Sequence, residues 1–248
     1  HPNADAWGED HLAVGVRLTL EQLPGRHADD AAANDPTIAL HRTIHFEERK
    51  GEVLVARKRI EIWQSKSHEI KLRRVYDEQN KLLAGEWTKP DGSSTVYQSG
   101  ATPQARTSPE IAVKAILQNG ELWRLDLRAK EFSQIVGGSE ALSVEEKSNT
   151  FELGFTGSNE LLSATLVLNK SNLRAIEQSF TLKRDGAAHV YKFVEGAFEE
   201  RALDSLSPAV LQPEPELLGS LKDDTIKNRL STDPSQSGAV STQPVDAF

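Results

Sequence analysis

The sequence predicts a mainly β (α+β) protein, an antiparallel sheet curved around one or two helices. Three observations carry this. Residues 160–200 hold three runs in which apolar and polar residues alternate with period two, joined by two tight turns. Residues 37–98 hold a second set of about five such runs at the ~8–12-residue spacing of sandwiches and barrels. The stretch between them, 109–137, has helical rather than strand spacing. Period-two alternation sends one set of side chains to a core and the other to water.

At 248 residues the chain is long enough for a sizeable core. Its formal net charge of −8 argues against a nucleic-acid partner, which needs a basic footprint. No apolar run approaches the ~20 residues of a membrane-spanning helix, and Asp5, Glu9 and Asp10 stand where a signal peptide would be apolar. Cysteine is absent, which removes disulfides, thiolate nucleophiles and Cys-based metal sites. The chain opens on His1 and contains no Met, so we expect a processed or excised piece of a longer protein.

Residues 1–36 are an N-terminal extension. Leu12, Val14, Val16, Leu18 and Leu20 alternate like a strand, while Leu12, Val16, Leu20 and Leu23 also fit a helix stripe; Pro24-Gly25 ends either. In the first meander, Ile38, Leu40, Ile44 and Phe46 share a face, as do Leu54, Ala56, Ile60 and Ile62, and then Ile70, Leu72 and Tyr76. Lys50-Gly51, Ser65-Lys66-Ser67, Asp77 to Asn80 and Pro90-Asp91-Gly92 are the turns. Residues 99–109 read as loop. Ser108-Pro109 opens a helix near 109–118 that Gly120 stops. Asp126 is expected to cap a second helix near 126–137, with Leu127, Phe132, Ile135 and Val136 inward and Gly137-Gly138 at its end.

A hairpin over 142–155 leads into the final meander, where Leu162, Ala164, Leu166 and Leu168, then Ile176, Phe180 and Leu182, then Tyr191 and Phe193 face inward. Pro208, Pro213 and Pro215 rule out a further central strand, and Leu211, Leu217 and Leu218 are expected to dock on the sheet edge. The domain is thus read as 37–218. Residues 219–248, rich in Ser, Thr, Asp, Gln and Pro, are read as a flexible tail.

No reaction is spelled out. His-Glu-x-x-His, Walker, Gly-x-Ser-x-Gly and dinucleotide patterns are missing. His41 and His45 share a strand face but stand roughly 13 Å apart at ~3.4 Å per residue, too far for one zinc. His189 with Asp185 pictures a base and its orienter, yet a polar hairpin tip explains both. Adjacent carboxylates such as Glu47-Glu48 and Glu145-Glu146 point to opposite strand faces and make no dyad. Asn169-Lys170-Ser171 matches a glycosylation sequon and equally a turn. Catalytic, cofactor and metal sites are therefore not assigned. Two binding features remain. Trp63, Trp87, Trp123, Phe132, Phe180, Tyr191 and Phe193 line the concave side, as a packed core or as a cavity for an apolar ligand. Arg57, Arg59, Lys71 and Arg73 form a basic stripe on the exposed face, for an anionic headgroup or an acidic partner, or else paired with Glu61 and Glu69 across the ladder.

The run Ala164 to Glu200, with Arg59-Ile60-Glu61-Ile62-Trp63 through Arg74-Val75-Tyr76-Asp77 and Leu83-Ala84-Gly85-Glu86-Trp87, resembles the LolA/RseB-like superfamily of periplasmic lipoprotein carriers and anti-sigma regulators. The resemblance covers roughly 37–218. It implies a half-open barrel wrapped around helices, an extracytoplasmic (periplasmic) location, and a non-enzymatic binding or sensor role. The implied partner is a lipid or lipoprotein acyl chain. The alternative is a structural or protein-interaction domain of a larger, membrane-anchored, anti-sigma-like protein.

Overall fold

A computed structural model describes residues 35–214, apart from 66–67, 92, 107–112 and 138–141. The strand-or-helix reading of 12–23, the Ser108-Pro109 start and the tail from 219 fall outside the described residues.

Eleven strands form one open antiparallel sheet. The first arm holds β1 (Ile38–Lys50), β2 (Val53–Ser65), β3 (Ile70–Tyr76), β4 (Leu82–Thr88), β5 (Ser94–Gln98) and β6 (Gln104–Arg106). Two helices follow, α1 (Val113–Asn119) and α2 (Ala129–Val136), with a 3-10 turn over Leu122–Arg124 between them. The second arm holds β7 (Leu142–Glu146), β8 (Thr150–Thr156), β9 (Leu161–Asn169), β10 (Ala175–Arg184) and β11 (Ala187–Ala202). In space the order is β6-β5-β4-β3-β2-β1-β11-β10-β9-β8-β7, so each meander keeps its chain order and the two join where β1 pairs with β11. The sheet is not closed, and helical material packs on one face, as a curved half-barrel requires.

The expected turns at Lys50-Gly51, at Asp77 to Asn80 and after β10 form. Asn80, Asp185, Gly51 and Gly186 take positive φ at hairpin bends, conformations that Asn, Asp and Gly adopt at least cost. Gly137 caps α2 in the left-handed region. Asp126 does not cap it: Arg128 stands at the N-cap without a side-chain bond, because the Asp126 carboxylate is committed to Lys71 and Arg73. Gln104–Arg106, read as loop, adds a short sixth strand on β5.

The core is one cluster. Ile44, Phe46 and Ile60 of the first arm and Leu166, Phe180, Tyr191 and Phe193 of the second surround Trp123, Leu125, Leu127 and Phe132. Leu54 leaves its expected face: a bulge between Glu48 and Arg49 breaks the alternation, and the residue is 38% exposed. Leu217 and Leu218 fall outside the described residues, and the described segment after β11 packs on a face of the sheet rather than on its edge. It crosses the outer face of β3, where Arg74 donates to the carbonyls of Val210 (3.1 Å) and Gln212 (2.9 Å) and pairs with Glu214.

Candidate functional site: a charged cleft beside an apolar hollow

Residues paired across strands share a face, so one row runs Arg42, Ile62, Arg73, Glu86 and the next Gln64, Lys71, Thr88. Both rows lie on the helix side, two and four residues from the core row of Ile44, Ile60, Val75 and Ala84. The segment between α1 and α2 returns over them. Leu122, Trp123, Leu125 and Leu127 are buried and anchor it, which holds Arg124 and Asp126 against the two rows.

The result is a cleft of about 840 Å³ lined by Lys71, Arg73, Lys114, Arg124, Arg128 and Lys130 against Glu86, Asp126 and Glu131. Six cations face three carboxylates on a chain that is acidic as a whole. Its floor is a hydrogen-bonded network. Lys71 donates to Asp126 at 2.5 Å, Arg73 pairs with Asp126 and donates to the Trp123 carbonyl at 3.1 Å, and Arg124 holds Glu86 and Glu121. The Asp126 N–H donates to Glu131 at 2.6 Å. Burial pushes the Asp126 carboxyl up, but Lys71, Arg73 and Arg128 outweigh it and hold the group well below the usual carboxylate range. Burial, and then the Asp126 charge, push Glu131 up to about 7. Burial likewise lowers Lys71, against the pull of Asp126.

A second hollow of about 440 Å³ adjoins the cleft and shares Lys114 and Gln134 with it. Leu117, Ile135, Leu161 and Leu182 supply apolar wall, and Lys183 and Arg184 add two more cations. Arg184 donates to the Leu117 carbonyl, tying β10 to α1.

The aromatic set divides. Trp123, Phe132, Phe180, Tyr191 and Phe193 meet in the interior, with the Phe180 ring 5.5 Å from Tyr191 and 5.7 Å from Phe193. They fill space as core. Trp63 and Trp87 lie on the opposite face, in the row His41, Trp63, Leu72, Trp87, where Trp63 stacks on His41 at 4.1 Å. The basic stripe divides too. Arg57 and Arg59 are on the outer face, tied to Glu47 and Glu61, while Lys71 and Arg73 point into the cleft. The expected phase of β3 is inverted: Leu72 faces outward yet is buried, and Val75 faces the core. His189 bonds Glu48 at 3.0 Å rather than Asp185. The charged cleft residues not foreseen as site residues are Glu86 of β4 and, in and beside the helical insert, Lys114, Arg124, Asp126, Arg128, Lys130 and Glu131. The insert's one signal was the run of cations at 124, 128 and 130 in a segment otherwise read for its apolar stripe.

No family model matches the chain, and no curated protein does. Solved structures similar to it include an uncharacterized conserved protein from Thermus thermophilus, at TM-score 0.41 and 14% identity over 76% of this chain and 91% of that one. A LolA superfamily protein from Nitrosomonas europaea is similar at TM-score 0.34 and 12% identity, over 72% and 91%. The Pseudomonas aeruginosa MucA/MucB complex is similar at TM-score 0.40 and 14% identity, over 75% of this chain and 59% of that one. One of these similar structures bears the name of the superfamily that the sequence resembles.

Proposed function

We propose that the chain is a non-enzymatic, extracytoplasmic binding domain for an amphiphile with an anionic head. The head lies in the charged cleft and the apolar part in the adjoining hollow. One observation carries the reading: a cation-rich cleft and an apolar-walled hollow meet at Lys114 and Gln134. Both volumes fall in the ~300–1,000 Å³ range of ligand sites. The interior aromatic residues are buried in one cluster, and the hollow lies at its rim, so the ligand is assigned to the edge of the core beside α1 rather than to its centre. No helix among the described residues is long and apolar enough to cross a membrane, and the lack of cysteine is compatible with an oxidising compartment.

The test is uptake of a fluorescent long-chain carboxylate beside its neutral alcohol counterpart. The wild-type chain is expected to bind the carboxylate more tightly. Leu161→Trp, which fills the hollow at a partly buried wall position, should abolish binding of both. Lys114→Glu should weaken the carboxylate alone. Absence of uptake by a folded chain overturns the reading. A protein-interaction domain is the second reading, favoured by the exposed Lys114, Arg128 and Lys130 at the cleft mouth. It predicts an acidic partner segment displaced by salt and indifferent to Leu161→Trp.

A further inference from the structure

β2 outruns its neighbour. Its pairing with β3 starts at Arg59 opposite Tyr76 and runs to Ser65 opposite Ile70. Among the described residues Val53, Leu54 and Ala56 to Lys58 pair with β1 alone, with Val55 bulged between them. β3 stops there because its chain turns sharply. The Asp77 carboxylate accepts the N–H groups of Gln79 (3.0 Å) and Lys81 (2.8 Å), and Asn80 takes φ 64°. At ~3.4 Å per residue the free edge is roughly 20 Å long, enough for a typical strand.

This edge carries the three exposed large apolar side chains of the described residues: Val53 at 66%, Leu54 at 38% and Val55 at 52%. Native edges are ordinarily blunted by Pro, inward charge or covering loops. Among the described residues no Pro and no covering loop guards Val53 to Val55; the edge carries a bulge at Val55 and the cations Arg57 and Lys58 beyond it.

We propose that two copies of the chain join by antiparallel pairing of this edge across a two-fold axis. The sequence Glu52-Val-Leu-Val-Ala-Arg57 is self-complementary when reversed. Glu52 of one copy meets Arg57 of the other, Val53 meets Ala56, and Leu54 meets Val55; the two-fold repeats each pair. A shift of one residue that sets Glu52 against Lys58 keeps an ion pair but puts Val53 against Arg57, an apolar side chain opposite a charge. Arg57 is half exposed and already touches Glu47 (2.9 Å) and Glu78 (3.6 Å), so its charge sits at the edge, where Glu52 of the second copy arrives. An edge of this length buries an area at the small end for specific interfaces, so the dimer is a weak one governed by concentration.

Sedimentation of the full chain over a concentration series tests this. The wild type is expected to pass from monomer to dimer. Val55→Lys, at an exposed site, should leave the melting curve unchanged and the chain monomeric throughout. E52R and R57E each set like charges opposite one another and should be monomeric alone. Mixed together they restore both ion pairs and should form a heterodimer. A wild type that stays monomeric, a dimer indifferent to Val55→Lys, or a mixture that fails to pair overturns the proposal. So does strong amide-exchange protection of residues 53–58 in a monomer, which would mean that another segment of the same chain covers the edge. The outcome is independent of ligand uptake, since the edge and the cleft share no residue.

Discussion

One helical segment meets two arms of the same sheet, and the arms are built on different principles. Against β9–β11, Phe132, Ile135 and Val136 of α2 share an apolar core with Leu166, Phe180 and Phe193, with charged contacts at its rim, Arg184 to the Leu117 carbonyl and Arg42, paired with Glu195, to the Leu127 carbonyl. Against β3 and β4, the same segment presents Arg124 and Asp126 to Arg73, Lys71 and Glu86. The first contact is non-directional and scales with apolar area. The second is directional: taking these charges from water costs several kcal/mol each, and their mutual pairing offsets that only while every partner is present. The apolar arm therefore holds the helices in place, and the charged arm sets their register and leaves a polar opening.

The largest effect should come from the apolar side. Phe132 is fully buried, and Phe132→Ala should cost about 4 kcal/mol by lost transfer energy and the cavity left behind. Denaturant unfolding reads this directly; a loss near 1 kcal/mol would mean that the interior collapses to fill the gap. On the charged side, Asp126→Ala strands Lys71 and Arg73 and should cost about 3 kcal/mol, at the low end for a broken buried pair because Lys71 still reaches solvent. Arg73→Met combined with Asp126→Leu should cost less than Asp126→Ala alone, since only Lys71, which still reaches solvent, is left without its carboxylate. If the double substitution proves worse, the contrast between the arms fails.

The finest probe of the contrast is pH. Glu131 holds its proton up to about pH 7 in the folded chain, against an ordinary value of 4.5. At this group the folded state therefore binds more protons than the unfolded state over that interval, and its contribution to stability falls as pH rises from about 4.5 to 7. The slope due to this group cannot exceed about 1.4 kcal/mol per pH unit. Glu131→Gln keeps an acceptor for the Asp126 N–H and should flatten that part of the profile. An unchanged slope would place the titration elsewhere.

Much of the fold was legible because the second arm faces water on one side. In β9, Ala164, Leu166 and Leu168 are buried and their neighbours are half-exposed, so alternation, turns and pairing could all be read from residue order. β3 was legible as a strand but not in phase. Its apolar residues, Ile70, Leu72 and Val75, do not keep one parity, and its cations occupy both. A strand covered on both faces has no single alternating pattern to betray which side is the core. The aromatic core was likewise foreseen only in part: Trp63 and Trp87 carry the composition of core residues, yet their strand parity sends them outward.

Residue order by itself determined the strands, the turns between them and the helical insert, because these depend on local backbone preferences and on short-range periodicity. Only the tertiary structure decided which way Lys71 and Arg73 point. That choice is made by segments far along the chain: Asp126 arrives on the helix side to receive the two cations, while residues 210–214 cross the outer face and tie down Arg74 there. A buried cation settles where its carboxylate is, and nothing in the seven residues of β3 says where that will be.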